Sequence, residues 1–117
     1  MARRKPTPFP PWQTEKPDGI EKRYIRLGNS QILHPAMLSL SDKAFRVYAQ
    51  MLLEAGGAKE FEFPRSKYKK IAGNTVFQNV KQELISKGFI RVKQCNANLR
   101  KPNIYEFSED WKRYIPP

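Results

Sequence analysis

The chain has 117 residues, enough for one domain with a modest core, and carries 22 Lys and Arg against 11 Asp and Glu. One cysteine excludes an intramolecular disulfide, and one histidine without a Cys/His cluster excludes the ligand pattern of structural zinc. The sequence has no apolar run long enough to span a membrane, and its basic start lacks the apolar centre of a signal peptide, so a cytoplasmic location is expected.

The net charge of +11 is uneven. Residues 65–101 hold ten basic residues and one acidic residue. Solubility alone does not require such localisation. A one-signed stretch repels itself, and it is the electrostatic footprint expected of a polyanion binder.

Residues 1–19, MARRKPTPFPPWQTEKPDG, contain five of the ten prolines. Proline fixes φ and removes a backbone donor, so an extended arm over 1–22 without fixed structure of its own is expected. Arg3, Arg4 and Lys5 give it a basic tip. Such an arm is either a plain flexible terminus or a strip that follows a nucleic-acid backbone or groove. The domain proper is expected over 23–117.

KRYIRLGN (22–29) alternates and predicts a short strand. In HPAML, Pro35 suits the first turn of a helix, with His34 as a cap. SLSDKAFRVYAQMLLEAGG predicts a helix capped by Ser41, burying Ala44, Phe45, Tyr48, Met51, Leu52 and Ala55, and stopped by Gly56 and Gly57. EFEFP alternates Glu60 and Glu62 with Phe61 and Phe63 and predicts a strand ended by Pro64. RSKYKKIAG (65–73) predicts two helical turns burying Tyr68, Ile71 and Ala72. Gly73 and Asn74 are turn chemistry, and Thr75 with Gln78 has the spacing of a capping box. A helix of about 75–87 follows, burying Phe77, Val80 and Leu84 and stopped by Gly88. FIRVKQC (89–95) and IYEFS (104–108) predict two strands joined by a basic loop, 96–103. Trp111 and Tyr114 are expected to fold back onto the core.

This order, together with KKIAGNTVFQNVKQELISKGFIRV, resembles the winged helix-turn-helix family over residues 24–112. It is most similar to small proteins of plasmids, phages and conjugative elements. Their replication-initiator N-terminal domains share a lead-in like YIRLGNSQILHPAMLSLSDKAFRVYAQML. The resemblance implies an α+β fold with a three-helix core and a β-hairpin wing. Asn74 and Lys69 depart from the usual turn pattern, so the start of the second helix is expected to shift by up to two residues.

A helix fits the major groove, where base edges are read. With Phe77, Val80 and Leu84 inward, Thr75, Gln78, Asn79 and Gln82 are the candidate base contacts. Lys67, Lys69, Lys70, Lys81, Arg91, Arg100 and Lys101 are the candidate phosphate contacts. The expected function is sequence-preferring binding of double-stranded DNA, in a transcription regulator or a replication-initiation factor of a mobile element. The expected partners are the duplex and a protein of a replication or regulatory complex. The alternative is a winged-helix assembly module that meets an acidic protein. RNA ranks lower, because most aromatics sit at core-like spacings. No nucleophile–base pair, paired carboxylates or Gly-rich phosphate loop is present. Enzyme activity, a cofactor and a metal are therefore not expected.

Overall fold

The structure, a computed structural model, describes residues 8–116. These form a small α+β domain. Two short helices, α1 (Asn29–Ile32) and α2 (Pro35–Leu38), lead into α3 (Asp42–Ala55). Then come β1 (Glu60–Glu62), α4 (Arg65–Tyr68), α5 (Asn74–Ser86), β2 (Ile90–Gln94) and β3 (Ile104–Phe107). The three strands form one antiparallel sheet in the order β1-β3-β2. A 3-10 turn, Asp110–Arg113, follows.

The helix ends follow local chemistry. At α2, the Nδ1 atom of His34 accepts a hydrogen bond from the Ala36 amide, and Pro35 occupies the first turn. At α3, the Ser41 hydroxyl accepts from the Ala44 amide, and Gly56 at φ 59 closes the other end. At the end of α5, the Gly88 amide donates to Ile85 and the Phe89 amide to Leu84. That is the Schellman pattern, and Gly88 has the positive φ it requires, 85°. A Cβ on Gly88 would also lie 2.6 Å from the Trp111 nitrogen.

One core joins all the layers. Ala44, Val47, Tyr48 and Met51 of α3 face Phe77, Val80 and Leu84 of α5 and the aromatics of the sheet. Phe61 of β1 stacks on Phe107 of β3, centroids 4.5 Å apart. Trp111 lies parallel to Phe89 and meets the edge of His34, and it packs with Tyr114 against the core as the sequence suggested.

Three local expectations are corrected. Residues 22–28 form no strand. Ile25 and Leu27 are half-buried, but the segment pairs with neither edge strand, β1 or β2, so its alternation is not matched by a ladder. The helix expected over 65–73 is one turn, α4, followed by a turn through Lys69–Ile71. The capping box is absent: Gly73 holds the N-cap position of α5 with no side-chain bond, and the helix starts at Asn74. The start thus lies earlier than the Thr75 cap requires, in the region where the turn departs from the usual pattern.

Arg3, Arg4 and Lys5 lie outside the described residues. Within the segment read as an arm, the Phe9 amide donates to the Gly19 carbonyl and closes a loop. The Thr14 hydroxyl donates to Glu21 at 2.6 Å, and Phe9 meets the edge of Tyr24.

Candidate nucleic-acid interface

Apolar spacing decides which side of α5 faces out. Phe77, Val80 and Leu84 are buried, so Thr75, Gln78, Asn79 and Gln82 share the opposite side at i, i+3, i+4 and i+7. All four are exposed. The sequence-derived stripe therefore stands together on one helix face, although its first turn now begins at Asn74. Val76, an exposed apolar residue of that first turn, was not foreseen as part of the surface.

Two anchors hold this helix. Tyr68 of α4 stacks on Phe77, centroids 3.9 Å apart and rings 10° from parallel. Its hydroxyl donates to Oδ1 of Asn74 at 3.0 Å, which ties the start of α5 to α4. At the other end, Glu83 reaches the start of α3. The Ser41 amide donates to its Oε2 at 2.7 Å and the Ser41 hydroxyl to its Oε1 at 2.8 Å. Lys87 bridges Glu83 and the Ser39 carbonyl. Partial burial raises the Glu83 carboxyl, but the Ser41 bonds and Lys87 outweigh it and hold it below the ordinary range.

The ten cations of 65–101 divide into two groups. Lys67 pairs with Glu54 at 3.1 Å, and Lys87 with Glu83. Arg91 pairs with Glu106 across the β2–β3 ladder, and Lys93 with Glu60 at 2.6 Å. Lys93 occupies the β-bulge between Val92 and Gln94, from where it also approaches Glu106. Glu60 and Glu106 are direct cross-strand neighbours of like charge, and these two cations offset their repulsion. Arg91 is the main reason the Glu106 carboxyl sits low, and Glu60 the main reason the Lys93 amine sits high.

The second group is Arg65, Lys69, Lys70, Lys81, Arg100 and Lys101. None of these six has an acidic partner among the described residues. All are exposed except Lys81, which is half-buried on the flank of α5. Of the sequence-derived phosphate candidates, Lys69, Lys70, Lys81, Arg100 and Lys101 are uncommitted, whereas Lys67 and Arg91 are engaged internally. Arg65 was missed. The bridge Arg23–Glu54–Lys67, which joins residue 23 to α4, was also missed.

The loop carrying Arg100 and Lys101 is built rather than slack. Asn96 is buried, and its side-chain amide donates to the Pro102 carbonyl at 2.9 Å. Its backbone amide donates to Oδ1 of Asn103 at 2.8 Å. Arg100 follows a 3-10 turn at φ 53 and is the one non-glycine residue with positive φ among the described residues. The loop thus projects Asn98, Leu99, Arg100 and Lys101 outward.

Among the described residues, no group of His, Cys, Asp and Glu could hold a metal ion, and no helix is long and apolar enough to cross a membrane. Comparison of the chain with protein-family models, with curated proteins and with solved structures finds no match.

Proposed function

We propose that this domain is a winged helix-turn-helix that binds double-stranded DNA, with α5 in the major groove and the 95–103 loop as the wing. The observation that carries the reading is the division of the cations. Within residues 65–101, four cations pair with carboxylates of the fold, and the six that do not occur on α4, its following turn, α5 and the loop. Uncommitted cations on the helix that carries a neutral, hydrogen-bonding face and on the segments before and after it suit a ligand with charged rails and readable edges. The helix order and the β1-β3-β2 sheet also support this architecture. Transcription control and initiation of replication both use such binding, and the sequence resemblance favours one of these in a mobile element.

Neutralising the two groups of lysines separately tests the reading. Lys69→Gln with Lys70→Gln should weaken binding of a fluorescent 24-base-pair duplex by roughly ten-fold or more at low salt. Lys93→Gln, which removes a cation already paired with Glu60, should change it little. Equal losses would show that total charge alone governs binding. Absence of duplex binding, with capture of an acidic protein instead, would favour an assembly module. The exposed Leu33, between α1 and α2, and Leu38, the last residue of α2, are the feature that favours that second reading.

A further inference from the structure

We infer that the outward face of α5 selects A·T base pairs, with Val76 touching the thymine methyl group; this rests on the DNA-binding reading above. Each base pair shows a distinct pattern in the major groove. Guanine is read by Arg or Lys, cytosine by Asp or Glu, adenine by Asn or Gln, and the thymine methyl by apolar groups. The exposed stripe on α5 is Thr75, Gln78, Asn79 and Gln82, with Asn74 and Val76 in the first turn. It contains no arginine and no free carboxylate.

The charged groups of α5 are accounted for elsewhere. Glu83 is committed to Ser41 and Lys87, so it is withdrawn from cytosine. Lys87 bonds the Ser39 carbonyl and Glu83. Lys81 lies one residue beyond Val80 in the buried series, on the flank of the helix rather than on the stripe, and is half-buried. Asn74 spends its Oδ1 atom on Tyr68. The side chains of Gln78, Asn79 and Gln82 are exposed and have no hydrogen-bond partner among the described residues, so both ends of each side-chain amide are open to adenine N6 and N7.

Val76 is 42% exposed on a helix whose other large apolar residues are buried or half-buried. Four residues before the buried Val80, it stands on the edge of the polar face, partly covered by this chain and partly open to a ligand. At i, i+3 from Asn79 it stands beside an adenine-reading amide, the neighbour a thymine methyl requires.

The test uses the full chain and selection from a random 24-base-pair duplex library, followed by base replacement in the selected site. The expected result is an A·T-rich site. Replacing its thymines with deoxyuridine removes only methyl groups, and should weaken the parent about fourfold per contacted methyl. The same replacement should leave Val76→Ala nearly unaffected. Since the parent protein reads the deoxyuridine effect directly, the result does not depend on the variant's folding. A site centred on G·C pairs, or deoxyuridine duplexes bound as tightly as thymine ones by the parent, overturns this inference while leaving DNA binding intact. No binding to any duplex at low salt overturns both.

Discussion

Glu83 is the one acidic residue in the basic stretch, and its charge is used inside the fold. Its carboxylate accepts from the amide and hydroxyl that open α3, so α5 completes the cap of another helix. Its folded pKa is lowered from the ordinary 4.5. The stabilisation is therefore fully present above the unfolded value and is lost as pH falls through the folded one. Acid titration of stability should be shallower below the ordinary value in Glu83→Gln than in the parent; identical acid profiles would show that the carboxylate charge does no such work. Arg100 tests a different local feature. It sits at φ 53, where a side chain costs about 1–2 kcal/mol. Arg100→Gly should leave thermal stability unchanged or raise it while weakening duplex binding. A clear loss of stability would mean that the arginine side chain holds the loop.

At the scale of elements, α5 depends on its aromatic seat. Phe77 is buried against Tyr68 and Phe63, so Phe77→Ala should cost about 3–5 kcal/mol. Tyr68→Phe keeps the stack and removes the bond to Asn74, and should cost about 0.5–1.5 kcal/mol. Urea unfolding of both variants checks the ranking, and a larger loss for Tyr68→Phe would reverse the account. The inward series Phe77, Val80, Leu84 was readable because helical period reports burial directly. So was the Gly88–Phe89 stop, where one residue type suits the backbone. The length of α4 was not readable. Tyr68 and Ala72 have the spacing of a longer helix, yet Lys69–Ile71 leave it. The side-chain oxygen that ties down the start of α5 belongs to Asn74, and its donor is the Tyr68 hydroxyl. That tertiary contact is invisible to a local capping rule. The expected strand at 22–29 failed for a related reason: alternation describes two faces but supplies no partner strand.

Across the whole molecule, sequence showed where the cations are and the fold shows which are spent. Lys67 and Glu54, or Lys93 and Glu60, lie far apart in the chain and meet only when the sheet and helices assemble. Within residues 65–101, what remains is six cations without carboxylates, on α4, its following turn, α5 and the loop after β2. The central claim is that these meet the phosphates of a duplex. The most direct measurement is the affinity of the full chain for a 24-base-pair duplex across a salt series. If all six cations meet phosphates, log Kobs against log salt should have a slope of about −5, reduced by about one in Lys70→Ala. A slope near zero, or no binding at low salt, would contradict the account.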